Sequence, residues 1–406
     1  MGVYDSIEAF AKEQGWVVKY SSDGTPNFFY PIYKCKSSDL DASLPNHTHP
    51  AFIVNGQEIS RRLIAVFKGS SIVSGGPIHS MPNMAPAVSA GADALLSRVK
   101  QTGNGFGPKT VADSGLLLLL ARKNDWVPKG NNNYGFDYRD GTKWATGASI
   151  SVGNTRVFQG VEYTALVAHT SALENKPDVS PLYWKRGKRV GGIMVPSYIT
   201  NNDPNGLLTY TGSGPATWRH DGTPGGIDDL TGNCFDQDYG YRIVGNELQI
   251  LENNNAADPL ADLGASSGAW KAILPNPSDN GHTLVAPGTS GTLKWNWLNN
   301  KITLDTVTDL TIDADKSTSF KDLAVNTTNV PYVPAILQEL GIFPISGDDT
   351  LGNTYHHFSG NATDERFPRR GGFYGYTSLA GLGCVISGYT RGGSLTSYGV
   401  RSAYLE

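Results

Sequence analysis

Gly226-Ile227-Asp228-Asp229-Leu230-Thr231-Gly232-Asn233 decides how the rest of this chain reads. It follows closely on Thr211-Gly212-Ser213-Gly214-Pro215-Ala216-Thr217-Trp218-Arg219-His220-Asp221-Gly222-Thr223-Pro224, a second glycine-punctuated run. Outward from these two runs, short apolar segments alternate with glycine turns. The pattern predicts strands over 248–251, 291–297, 301–306 and 398–405. One helical pattern interrupts them, Pro334-Ala335-Ile336-Leu337-Gln338-Glu339-Leu340 before Gly341. Upstream, a helix opening near Pro86 spaces Val88, Ala92, Leu95, Leu96 and Val99 on one face and stops before Gly103. A second takes Asp113 or Ser114 as N-cap and ends on Arg122-Lys123, where cations suit the negative end of the macrodipole. Phe52-Ile53-Val54-Asn55-Gly56-Gln57-Glu58 reads as a strand and turn, and residues 62–68 as a buried strand. Pro128-Lys129-Gly130-Asn131-Asn132-Asn133-Tyr134-Gly135 is a loop by composition. Helices first and many short strands after define an α+β chain. No repeat of about 20–50 residues is visible, which disfavours solenoids and propellers.

Composition narrows the function. The 48 glycines fit a strand- and turn-rich protein with long loops, and only 17% of residues are charged, against roughly 25% in ordinary globular domains. With 19 tyrosines and 8 tryptophans, the surfaces are built from neutral polar and aromatic groups, as in paratopes and sugar-binding faces. Net charge is −4, and the densest basic patch, Lys185-Arg186-Gly187-Lys188-Arg189, is short and lacks a groove-lining context. No nucleic-acid partner is expected. Cys35, Cys234 and Cys384 are too dispersed for a disulfide framework or a metal knuckle, and are expected as free thiols from a reducing cytoplasm. Met1-Gly2-Val3-Tyr4-Asp5 lacks the features of a secretory signal, and the five leucines at 116–120 are too few to span a bilayer. No membrane insertion is expected.

The two opening runs resemble the formylglycine-generating-enzyme subgroup of the C-type lectin fold, where a G-I-x-D-L-x-G-N run precedes the central strands. The loop at 128–135 and Leu284-Val285-Ala286-Pro287-Gly288-Thr289 resemble that subgroup's phage versions. Arg370-Gly371-Gly372, Ala380-Gly381-Leu382 and Gly399-Val400-Arg401-Ser402-Ala403 are similar to the variable-region end of proteins diversified by retroelements, among them phage major tropism determinants. Residues 373–398 contain no Lys, Glu, Gln, Met or Trp. Mutating the first two bases of adenine-rich codons would exclude those residues, and glycine-rich loop composition would do so as well. The resemblance implies a C-type-lectin-like fold with two helices and short antiparallel strands, in a homotrimeric phage tail protein that binds a host cell-surface receptor alongside other virion tail proteins. It implies ligand contacts from Phe373, Tyr374, Tyr376, Thr377, Tyr389, Thr390, Arg391, Ser394, Thr396 and Tyr398. The subgroup's enzymes use a cysteine pair near the C-terminus, whereas Cys384 stands alone in its region. Neither catalysis nor a cofactor is therefore expected.

Between Thr142 and Thr200 the pattern breaks. Trp144, Val161-Glu162-Tyr163-Thr164-Ala165, Ala168-His169-Thr170-Ser171 and Pro181-Leu182-Tyr183-Trp184-Lys185 are spaced as in small chitin-binding-type carbohydrate modules, a resemblance that implies an inserted three-stranded all-β unit with Tyr163 and Trp184 as candidate sugar-facing rings. The expected organisation is an attachment or oligomerisation segment at 1–50, the first part of the lectin-like domain at 51–142, the insert at 143–199, and the second part at 200–406.

Other constellations carry weaker signals. His47-Thr48-His49 is an H-x-H pair that in a trimer would gather imidazoles about the axis, but is more often solvated or hydrogen-bonded. His356-His357 suit a structural role, and Asp305, Asp309, Asp313 and Asp315 read as the solvent face of an alternating segment. Asp228-Asp229 and Asp364-Glu365 are the acidic pairs a glycan hydrolase would need. A structural tail or capsid-decoration protein is the other alternative to an adhesin.

Overall fold

The computed structural model describes residues 2–278, 281–310, 314–345, 354–360 and 364–406. The chain is mixed α/β, mostly sheet with few helices. A five-stranded antiparallel sheet runs in the order Val17–Tyr20, Pro26–Tyr33, Arg61–Ala65, Ser402–Tyr404, Phe106–Pro108. The strands Val17–Tyr20 and Pro26–Tyr33, within the first fifty residues, thus form one side of the sheet that holds the C-terminal strand. Pro31 pairs with Leu63 on one side, and on the other side the pairing with Val17–Tyr20 reaches only to Phe29, so Pro31 has no ladder partner to lose there. Phe28 packs with Trp16 and Phe67 on one face, and Phe29 with Leu63 and Phe106 on the other.

The helix Val111–Lys123 is buried nearly all round, because Leu116, Leu117, Leu118 and Leu119 all enter the main core. It begins earlier than expected. Thr110 caps it, its hydroxyl accepting from Asp113 N (3.2 Å) while Asp113 Oδ2 accepts from Thr110 N (3.0 Å). Asp113 also receives both guanidinium arms of Arg62, a fully buried ion pair. Gly115 lets the short helix Ala335–Glu339 approach, since a Cβ there would collide with the Glu339 carbonyl. The other early helix spans Ala92–Lys100; the residues from Pro86 to Val88 are extended instead, with Ala87 N bonded to Gly69 O.

The region 398–405, expected as one strand, is two. Tyr398–Gly399 closes a six-stranded mixed sheet, beside Phe235–Gln237, while Ser402–Tyr404 belongs to the five-stranded sheet. Between them the buried Arg401 donates to Asp236 Oδ2 (3.1 Å) and to the carbonyls of Ala65, Val66, Asp228 and Asp229. One guanidinium therefore ties the start of the Gly226–Asn233 run to both sheets. A further eight-stranded sheet includes Glu247–Ile250, Lys271–Asn276, Lys294–Leu298 and Lys301–Asp305. Asp305 is buried, accepting from Asn296, Asn326 and Asn329, rather than on a solvent face; Asp309 and Asp315 are exposed, and Asp313 lies outside the described residues.

Residues 143–199 contain the antiparallel strands Thr155–Phe158, Val161–Ala165 and Trp184–Arg189. Their small core comprises Trp144, Ile150, Phe158, Val161, Tyr163 and Trp184, among others. Trp184 and Tyr163, expected as sugar-facing rings, are 2% and 6% exposed. They pack the unit from inside, and Trp184 Nε1 donates to Asn175 O (2.8 Å).

Candidate aromatic binding surface

The loop at 131–137 is built by its own side chains. Asn131 Oδ1 accepts from Gly135 N (2.7 Å), Asn132 Oδ1 from Tyr138 N (2.8 Å), and Asp137 from Gly130 N and Asn132 Nδ2. Tyr134 adopts φ +57° at its tip, followed by Gly135 at +105°. The end of the Gly226–Asn233 run fixes this loop from below. Asn233 is fully buried at φ +60°, a conformation asparagine tolerates. Its side chain holds Thr209 N (3.0 Å), Thr209 O (3.1 Å), Asn131 Nδ2 (3.2 Å) and Asp229 (3.2 Å).

Main-chain bonds join this loop to the C-terminal segment: Tyr134 N to Tyr374 O (2.8 Å), Tyr374 N to Asn233 O (3.2 Å) and Thr377 N to Asn132 O (2.8 Å). Thr377 sits at φ +49°, strained for a β-branched residue. Above this frame the rings form a half-buried shelf. Tyr134 and Tyr374 lie 5.7 Å apart between centroids, Tyr374 and Phe373 4.8 Å apart at 89°, and Phe373 and Tyr376 4.3 Å apart. Phe235 packs against Phe373 and Tyr376. Lys143 Nζ stands 3.8 Å over the Tyr134 ring, and Thr396 Oγ1 lies 3.5 Å from the Tyr374 hydroxyl. Tyr198, Leu207 and Tyr210 belong to the same apolar cluster as Tyr374. Burial raises the hydroxyl pKa of Tyr134 and of Tyr198, so both remain neutral donors at ordinary pH.

The ten residues expected to bind ligand therefore separate. Phe373, Tyr374, Tyr376, Thr377 and Thr396 lie on or beside the shelf. Tyr389, Thr390 and Ser394 are exposed on the following loop, which bonds to the start of the Ala92–Lys100 helix through Arg391 O and Ala92 N. Two positions are not available as contacts. Tyr398 is 1% exposed, with the Arg369 guanidinium 3.9 Å over its ring. Arg391 is held by both oxygens of Glu365 (2.7 Å each), by Asp93 (2.8 Å) and over the Phe367 ring. Sequence reasoning missed Tyr134, Lys143 and Tyr198; the tyrosine inside the asparagine-rich loop at 131–135 was the available signal.

The acidic pairs do not frame a cleft. Asp228 and Asp229 are buried, and Glu365 is engaged by Arg391 and Arg242. Burial, with the charge of Asp228 beside it, raises the Asp229 carboxyl to about 8. His49 is buried with its ring bonded to Glu339 O (3.1 Å), while His47 pairs with the Glu339 carboxylate (2.6 Å), so both histidines of the H-x-H pair are hydrogen-bonded within the fold. His356 is buried between Trp295 and Phe320. Cys234 and Cys384 are buried free thiols, and burial pushes Cys234 up to about 12. Among the described residues no group of His, Cys, Asp or Glu has the arrangement of a metal site, and no helix is long and apolar enough to cross a membrane. Neither protein-family models nor curated proteins give a match to this sequence.

Proposed function

We propose that this chain is a receptor-binding adhesin of a phage tail, with a C-type-lectin-like domain that holds a host-surface ligand on the shelf formed by Tyr134, Tyr374, Phe373 and Tyr376. The observation that carries this reading is a half-buried aromatic shelf on a frame tied by main-chain and asparagine hydrogen bonds. Two-torsion aromatic side chains already held in place lose little entropy on binding. The order of the glycine-rich motifs supports the lectin-like assignment, as do few helices among many short strands. The restricted composition of 373–398 supports diversification of this surface, confined to exposed positions such as Tyr389, Thr390, Ser394 and Thr396. A homotrimer placed in several copies on a virion would multiply weak single-site binding. The protein would be assembled in the host cytoplasm and act from the particle.

The test is adsorption. Particles carrying Tyr374→Ala should assemble normally and adsorb poorly; normal adsorption would remove the site from the account. Release of soluble sugar from envelope glycans by the purified protein would replace the adhesin with a glycan hydrolase.

A further inference from the structure

The strand Trp184–Arg189 is the outer edge of its three-stranded sheet, and every residue after Trp184 is exposed. It places four cations within five residues, Lys185, Arg186, Lys188 and Arg189. The side chains of Lys185, Arg186 and Lys188 form no ion pair among the described residues. Arg189 is spent on main-chain oxygens, Gly192 O (2.7 Å) and Gln159 O (3.3 Å). A register shift between Arg186 and Arg189 re-aims the strand locally. Arg156 stands in register with Arg186 across Tyr163, widening the basic surface. The nearest carboxylate along the strand is Glu162, against Gly187. Lysines on a sheet edge guard against strand pairing, but a single charge accomplishes that, and this edge carries a run of them in a chain of net charge −4.

The strand also leads to the shelf. Beyond Arg189, Val190 N and Gly191 N bond to Gly160 O, and Gly192 N bonds to Gly135 O, next to Tyr134. The track thus continues from the basic edge to the Tyr134 ring with Lys143 over it. Burial raises the Tyr134 hydroxyl and lowers the Lys143 ammonium, and the charge of Asp203 acts on both groups.

We infer that the ligand is an acidic polysaccharide, its carboxylates lying along Lys185, Arg186 and Lys188 and one of its rings stacking on the Tyr134–Tyr374 shelf. This rests on the adhesin reading above and adds the ligand's class. The experiment uses immobilised polygalacturonate, neutral dextran and oligo(dT), with the full chain, a Lys185→Glu/Arg186→Glu/Lys188→Glu variant, a milder serine triple variant and Tyr374→Ala. Polygalacturonate should be retained over dextran, with affinity falling about tenfold from about 50 mM to about 300 mM salt. The glutamate variant should lose at least about tenfold and the serine variant less, at unchanged melting temperature because the positions are exposed. Retention of polygalacturonate that ignores salt or the charge changes overturns the inference, as does tighter binding of oligo(dT). Bacterial envelope preparations separate the two levels. If the charge variants bind like the parent while Tyr374→Ala does not, the acidic-glycan assignment alone fails. If Tyr374→Ala also binds normally, the shelf itself fails.

Discussion

Replacing Asn233 tests whether the Gly226–Asn233 run builds the binding surface. Its side chain meets both backbone polar groups of Thr209, and Asn131 Nδ2 and Asp229 besides. Asn131 keeps a second acceptor in Leu207 O (2.9 Å), whereas Thr209 N–H and C=O would be left buried and unpaired. At about 1–3 kcal/mol for each orphaned group, Asn233→Gly should cost about 3 kcal/mol. Asn233→Ala removes the same bonds but keeps a Cβ in the left-handed region at φ +60°, which glycine relieves, so alanine should be the less stable of the two by about 1 kcal/mol. Urea unfolding reads this as a lowered midpoint at unchanged slope, with alanine worse than glycine. Amide exchange should accelerate first at Tyr134 and Tyr374, whose N–H groups close the frame. A glycine variant within about 0.5 kcal/mol of the parent would refute the reasoning, and equal glycine and alanine variants would remove the backbone part of it.

Three other outcomes follow from buried groups. Asp229 holds its proton up to about 8 in the folded chain, against about 4 when unfolded. Its contribution to stability is fully present below about pH 4 and is lost as pH rises through about 8. Asp229→Asn should therefore be progressively more stable than the parent from pH 5 to 8, and a pH-independent difference in urea midpoint would count against it. Arg401→Met leaves Asp236 and four main-chain carbonyls without their shared donor and should cost about 3–5 kcal/mol; a calorimetric transition at the parent temperature would contradict the clamp. Trp184→Ala should cost about 3–5 kcal/mol within the small core of the insert, giving new protease cuts inside 143–190 with the rest intact. Parent-like proteolysis would mean that Trp184 does not organise that unit.

Local signals carried the parts of the fold that depend on local physics. The leucine run at 116–119 reads as a buried helix because no polar face interrupts it, and the strand Lys301–Asp305 follows from its short apolar alternation. Errors arose where a distant partner decides. Residues 30–33 lie in a polar stretch that reads as irregular, yet Arg61 to Ile64 supply the ladder that makes them strand. The 398–405 segment reads as one strand until Arg401 finds its acceptors in residues far away in the chain. Trp184 and Tyr163 have the residue types of a sugar platform and also those of a small core, and burial separates the two. The shelf was half legible. Its C-terminal rings lie close together in sequence, while Tyr134 and Lys143 join them through contacts such as Tyr134 N to Tyr374 O, across 240 residues, that spacing does not encode. Arg391 looked like a free recognition arginine because Glu365 and Asp93 are remote from it in the chain.

We propose that the Tyr134–Tyr374 shelf holds a host-surface ligand. The direct measurement is equilibrium binding of the full chain and of Tyr134→Ala/Tyr374→Ala to a panel of bacterial envelope preparations, with soluble products assayed in parallel. The account predicts saturable binding to some preparations, no product release, and a loss of at least about tenfold in the double variant, as expected for two ring contacts worth about 1–3 kcal/mol each. Equal binding by the two proteins, at equal melting temperature, would contradict it.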